Sequence, residues 1–274
     1  MKNPLLLALL TAVLPIVSVA DVKTSTVDYK EGDVALEGVL AFDDESGKKR
    51  PGILVVHDWM GVSDHTREVV QDLAKLGYVA FGADIYGKGV RPANGGEASA
   101  EAGKYKADRS LLRKRAQVAL DELKKHPLVD SSKTAVIGFC FGGTTAIELA
   151  RSGADIAGAV SFHGSLDSPS PEDGKNIKAK LLVLHGADDP FVKPADLAAF
   201  QDELRKAGVD WQMIYYGDAV HSFTQKKAGT DKSKGAAYQE TASRRSWKAM
   251  QDFLDEVLGS EHRARRRIRV TNEK

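Results

Sequence analysis

The sequence is short of several things that would narrow its chemistry. It has a single cysteine, Cys140, so no internal disulfide can form. A lone cysteine is either a small buried hydrophobe or a reactive thiol, and its neighbours decide which. It has no excess of charge: 39 Lys and Arg stand against 38 Asp and Glu, which argues against nucleic acid or an anionic surface as the main partner. Its seven histidines show neither H-x-x-x-H nor H-E-x-x-H spacing. One cysteine cannot build a thiolate cage, so neither a metal nor any other cofactor is expected. No apolar run reaches the roughly 20 residues that span a bilayer. No internal repeat and no linker breaks the chain.

What is present begins with an export signal. Lys2 supplies a positive start, Leu5 to Val17 is apolar apart from Thr11 and Pro15, and Ser18-Val19-Ala20 offers small residues for cleavage after Ala20. The rival reading of this stretch is a retained membrane anchor. Cleavage would leave no stable anchor and a periplasmic protein, or else a secreted one. The remaining composition, 42% hydrophobic and 28% charged, is ordinary for a globular domain.

From residue 21 onward strand-like and helix-like segments alternate, the mark of a mostly parallel sheet covered by helices on both faces. Strands are predicted over 24–29, 34–42, 52–57, 78–83, 134–138, 156–162, 180–185 and 211–216. Helices are predicted over 65–76, 111–125, 144–151, 196–207 and 238–258. Residues 86–104, rich in Gly, Ala and charge, are read as a loop or mobile cap, and 129–133 as a turn. Residues 261–274, with Arg263, Arg265, Arg266, Arg267 and Arg269, form a basic tail. It is read as a frayed, disordered end, with a contact to an anionic lipid or polymer as the alternative.

The most informative stretch is Gly138-Phe139-Cys140-Phe141-Gly142, a G-x-C-x-G between an apolar strand and a helix. It is the cysteine form of the G-x-S-x-G nucleophile elbow. The glycines remove side chains that would collide across a sharp turn. Such a turn lifts the sulfur above the carboxyl end of the sheet, at a helix N-terminus that favours thiolate. The backbone N–H of Phe141 then faces any oxyanion formed on an attacked carbonyl. A second N–H is expected from the loop after an early strand, and Trp59 in His57-Asp58-Trp59-Met60-Gly61 is the candidate. An acid and a base should follow the nucleophile in that order. Asp188 and Asp189 compete for the first role after the strand ending at His185. Asp189 is preferred because Pro190 restricts its backbone to an extended form. His221, in the loop after the last strand, is the preferred base over His163 and His185.

Together these residues resemble the dienelactone hydrolase family over roughly residues 30 to 258. The carriers are G-F-C-F-G-G at 138–143, G-A-D-D-P-F-V at 186–192, H-S-F at 221–223 and G-Y-V-A-F-G-A-D-I-Y at 77–86. The resemblance implies an α/β-hydrolase fold over residues 21–260. It also implies a Cys140–His221–Asp189 triad and metal-free hydrolysis through a thioester, with the segment around Leu111 and the loop near Tyr86 bordering the pocket. Two departures concern the substrate. Family members that cleave dienelactone carry a glutamate beside the nucleophile, where this chain has Asp58. They also grip the substrate carboxylate with arginines, one shortly after H-S-F, where this chain has Thr224-Gln225-Lys226-Lys227. Lys88 and Arg91 are the substitutes on offer, although lysine lacks the guanidinium fork. Asp58, Tyr86, Lys88, Arg91, His163 and Phe223 are therefore assigned to the substrate pocket.

The expected function is hydrolysis of a small carboxylic ester or lactone by a monomer, as in carboxymethylenebutenolidase. A thioesterase or acyl transferase would use the same triad. A non-catalytic binding protein would keep the scaffold, but loss of one triad residue would be its expected mark.

Overall fold

The computed structural model describes residues 22–43 and 47–259. The stretch read as an export signal and the basic tail lie outside the described residues. Eight strands form one sheet in the order β1-β2-β4-β3-β5-β6-β7-β8. They are β1 (Val22–Glu31), β2 (Val34–Asp43), β3 (Arg50–Val56), β4 (Val79–Ala83), β5 (Val129–Phe139), β6 (Gly158–Phe162), β7 (Lys180–Gly186) and β8 (Trp211–Tyr216). β1 and β2 form an antiparallel hairpin, and β2 runs antiparallel to β4. Every other pairing is parallel. Six helices cover the sheet: α1 (Asp64–Lys75), α2 (Gly95–Ala107), α3 (Arg109–Lys125), α4 (Phe141–Arg151), α5 (Pro194–Ala207) and α6 (Glu240–Leu258).

Burial on both faces explains the continuous apolar strands. β3, β4 and β6 are buried at every position, as parallel strands sandwiched between helix layers must be. One apolar cluster joins Leu54, Val136, Leu181 and Val183 to Leu112, Leu120, Ile147 and Leu204. The other joins Ile53, Ile137, Val160 and Leu182 to Val70, Leu73, Met250 and Leu254. Alternate residues of each strand thus feed opposite layers.

Two sequence expectations needed correction. Residues 86–104 are not one loop, because Gly95–Ala107 is helical. Asn94 caps it by accepting the Glu97 N–H at 3.1 Å, and the Glu97 side chain reaches back to the Ala93 N–H at 2.9 Å. The buried face is Ala98, Ala102 and Tyr105, so small that the apolar periodicity is faint. The turn over 129–133 is part of β5. Val129 and Asp130 pair with Arg50 and Pro51, and the register resumes at Gly52–Thr134. Ser131, Ser132 and Lys133 therefore bulge from one long strand.

Helix α4 is held by charge as well as by apolar packing. Arg151, fully buried, donates two hydrogen bonds to Glu203 of α5 at 2.8 and 2.6 Å and one to Glu148 at 2.8 Å. Glu148 also accepts from Arg113 of α3 at 2.7 Å, and Arg113 reaches Asp173 at 2.6 Å. Helix α4 is thereby tied to both of its neighbours. Among the described residues no helix is long and apolar enough to cross a membrane.

Candidate active site

The site is built where β5 turns into α4. Cys140 takes φ 53° and ψ −113° as the residue before the helix, a region that side chains with a Cβ rarely occupy. The glycines make the turn possible. A Cβ on Gly138 would stand 1.9 Å from the Gly142 carbonyl oxygen, and one on Gly142 would stand 2.2 Å from that of Val56. The elbow therefore packs directly on the end of β3, which brings the 57–60 loop beside it. Phe141 supplies the first N–H of α4, one of the donors that a helix leaves without an internal partner.

Two loops deliver the remaining groups. After β7 the chain turns at Gly186, and Asp189 points inward while Asp188 is exposed. One Asp189 oxygen accepts the Phe191 N–H at 2.9 Å. The other lies 2.8 Å from His221 Nδ1. On the far side of the ring, His221 Nε2 lies 3.0 Å from Cys140 Sγ. Carboxylate, imidazole and thiol thus form one continuous row, and Asp189 rather than Asp188 takes the acid's place in it. Burial alone would push the His221 imidazole down. The hydrogen bond to Asp189 and the contact with Cys140 outweigh burial and hold it up at about 10.

His163 lies beneath this row. Its Nδ1 is 3.1 Å from the Cys140 N–H and its Nε2 is 2.8 Å from Thr224 Oγ1. The Cys140 N–H is shared between Nδ1 and the Phe162 carbonyl, which lies 3.0 Å away. Burial first, then the neighbouring His221, keep this imidazole well below its ordinary range. Among the described residues no three His, Cys, Asp or Glu side chains gather as a metal site.

A family model for the dienelactone hydrolase family matches residues 36–258. The chain belongs to the dienelactone hydrolase family. Members hydrolyse ester and lactone bonds, so this chain is a hydrolase of that class. A crystal structure of a dienelactone hydrolase-like promiscuous phosphotriesterase from metagenomic libraries is 42% identical. It covers 87% of this chain and 99% of its own, with a TM-score of 0.83. An uncharacterised protein of Caenorhabditis elegans is 36% identical over 152 residues, 54% of this chain and 94% of its own. A Bradyrhizobium protein named a probable 2-oxo-3-(5-oxofuran-2-ylidene)propanoate lactonase is 28% identical over 72% of this chain and 80% of its own.

Within the dienelactone hydrolase frame the assigned pocket residues separate. Tyr86 is beside the site: its hydroxyl donates to the Trp59 carbonyl at 3.1 Å, and its ring packs 4.7 Å from His57 and 5.3 Å from Phe141. Asp58 is there too, held by the Met60 N–H at 2.7 Å and the Gln225 amide at 2.8 Å. His163 and Phe223 do not line a pocket, because both are fully buried. Phe223 packs 5.1 Å from His163 and 5.4 Å from Tyr216, as core under the site. Lys88 points to Asp28 at 2.6 Å and Glu37 at 3.7 Å, and Arg91 to Asp84 at 3.7 Å and Glu37 at 3.8 Å. Both cations are taken up by carboxylates of β1, β2 and the β4 loop.

Sequence reasoning missed three residues. Gln225 bridges to Asp58 across 167 positions, which no local pattern reveals. Phe191 places its ring edge-on to His221 at 5.4 Å. Its place in G-A-D-D-P-F-V was the available signal. His57 is buried, with Nδ1 at 2.5 Å from the Asp58 carbonyl and Nε2 accepting the Ile85 N–H at 3.2 Å. Those bonds fix the backbone that carries Trp59.

The histidines give the fold a two-sided pH dependence. His221 binds its proton more tightly folded than unfolded, so its contribution is complete below the ordinary value of 6.5 and is lost as pH rises toward 10. Burial lowers His57, His65 and His163, so their neutral forms contribute above 6.5 and that contribution is lost as pH falls below it. Thermal melts of the full chain should therefore decline on both sides of 6.5. His221→Ala should flatten the alkaline limb alone. Parallel wild-type and variant curves between pH 6.5 and 10 would refute the assignment.

Proposed function

We propose that this chain cleaves carboxylic esters or lactones through a Cys140–His221–Asp189 triad and a thioester acyl-enzyme. The observation that carries the reading is the unbroken row from Asp189 through both ring nitrogens of His221 to Cys140 Sγ, at 2.8 and 3.0 Å. It stands at a strained elbow on a helix N-terminus. Order along the chain, geometry and family all favour the same three residues.

The steps follow from the positions. Before attack the Cys140 proton passes to His221 Nε2, where the ring's raised proton affinity keeps it, and Asp189 steadies the imidazolium. Sγ attacks the carbonyl carbon, and the oxygen that gains the charge faces the N–H groups of Phe141 and Trp59. Collapse breaks the C–O bond to the alcohol, which leaves with the proton from Nε2. Water then enters, gives a proton to Nε2 and attacks the thioester. The C–S bond breaks, the acid leaves and the thiol recovers its proton. A thioesterase would differ only in losing a thiol in the first half. The similarity to a phosphotriesterase makes a neutral phosphotriester a second electrophile to test, because attack at phosphorus builds charge toward the same N–H groups.

The intermediate gives the direct test. Acid quenching within the first turnover of para-nitrophenyl butyrate should leave one butyryl group, located by peptide mass spectrometry on Cys140 and removed by hydroxylamine. Turnover with no adduct, or with the adduct on another side chain, would reject the thioester.

A further inference from the structure

We propose that the site selects uncharged esters over those bearing a free carboxylate, with Asp58 and Gln225 setting the choice and Trp59 and Phe191 forming apolar walls. The proposal rests on the hydrolase reading and adds the substrate's charge and surface to it.

The negative side of the argument is Asp58. It directly precedes Trp59, whose N–H faces the reacting oxygen in the proposed mechanism, and it is 4% exposed. One of its oxygens takes the Met60 N–H and the other the Gln225 amide. Both donors are neutral, so these bonds orient the carboxylate without cancelling its charge. Tyr86 links the loop that carries Asp58 to the elbow, its hydroxyl on the Trp59 carbonyl and its ring 5.3 Å from that of Phe141. A substrate carboxylate entering here meets a like charge on a nearly buried side chain, where water screens it less than at the surface.

Three cations of the neighbouring loops, Lys88, Arg91 and Lys227, are turned elsewhere. Lys88 and Arg91 face Asp28, Glu37 and Asp84, two cations against three carboxylates. Lys227 is turned outward, its side chain 82% exposed and reaching toward Asp64 at 3.4 Å. Gln225, the side chain that meets Asp58, is a neutral amide and brings no positive charge of its own.

The walls point the same way. Trp59 and Phe191 are two of the large apolar side chains left exposed among the described residues, at 40% and 58%. They belong to the two loops that carry Asp58 and Asp189. Phe191 already presents an edge to His221, and the Trp59 ring lies close over Gly95 at the start of α2. Exposed aromatic faces on these two loops suit a flat, uncharged group that covers them.

A matched pair tests the charge alone. Para-acetoxybenzamide and para-acetoxybenzoate release the same acetyl group from leaving groups of the same shape. With the full chain, kcat/KM corrected for the uncatalysed rates should favour the amide at least about tenfold, the size that one partly screened like charge gives. Asp58→Asn should shrink that preference severalfold, and Gln225→Arg should raise kcat/KM for the carboxylate ester. Equal values for the two esters in the wild type would overturn the inference and leave the hydrolase reading intact. A preference that survives unchanged in both variants would overturn the role of Asp58 and Gln225. If Asp58→Asn fails to fold, Gln225→Arg decides that role alone. Turnover of neither ester would instead reject the hydrolase reading, and this selection with it.

Discussion

Cys140→Ala is expected to lower kcat/KM on short esters by about 10^4-fold or more, the scale set by nucleophiles of other triads. Steady-state assays of wild type and variant on one ester panel read this directly. The variant keeps the elbow, the donor N–H groups and the pocket, so substrate binding should change little and the loss should fall on kcat. In the proposed mechanism the three residues of the row act as a unit. A Cys140→Ala, His221→Ala double variant should therefore be hardly slower than Cys140→Ala alone. Equal rates in wild type and Cys140→Ala would move the chemistry to another residue. His163 is the nearest unused imidazole, but its buried Nδ1 is already occupied by the Cys140 N–H.

Arg151→Met should be the most damaging single change away from the site. It removes the guanidinium from between Glu148 and Glu203, both buried. A buried ion pair broken on one side costs about 3–5 kcal/mol, because Glu203 loses its partner in a low-dielectric interior while Glu148 keeps Arg113. For a domain of this size that corresponds to a fall of roughly 10 °C in Tm. The exposed pair of Lys248 with Asp252 supplies the contrast: Lys248→Met should stay within about 0.5 kcal/mol of wild type. Activity per folded molecule should fall in Arg151→Met as well, since Arg151 closes the helix that Cys140 opens. Equal urea midpoints for Arg151→Met and Lys248→Met would mean that the network adds nothing to the fold.

Much of this was legible before any coordinates. Strands buried on both faces announce themselves as short apolar runs, and G-F-C-F-G is tied to one backbone geometry. The order of Cys140, Asp189 and His221 follows from each standing just beyond a strand. Helix α2 was missed because Ala98 and Ala102 bury little surface, so its sequence carries a weak amphipathic signal. The bulge at 131–133 read as a turn because only its ends find partners on β3. Two pocket assignments failed for a different reason. Position after a strand does not tell which way a side chain points, and His163 and Phe223 point down into the core. Lys88 and Arg91 were in the right loop, but their partners on β1 and β2 lie far away in sequence. The Arg151 network was invisible for the same cause: nothing local marks a charge that will be buried.

The burial of α4 has a kinetic consequence. Every residue from Phe141 to Arg151 is buried, so the amide protons of this helix can exchange with solvent only in openings close to global unfolding. The loops that carry Trp59 and Phe191 are partly exposed and open at lower cost. Breathing of the molecule thus unsettles the substrate's walls while the sulfur stays on the last segment to let go.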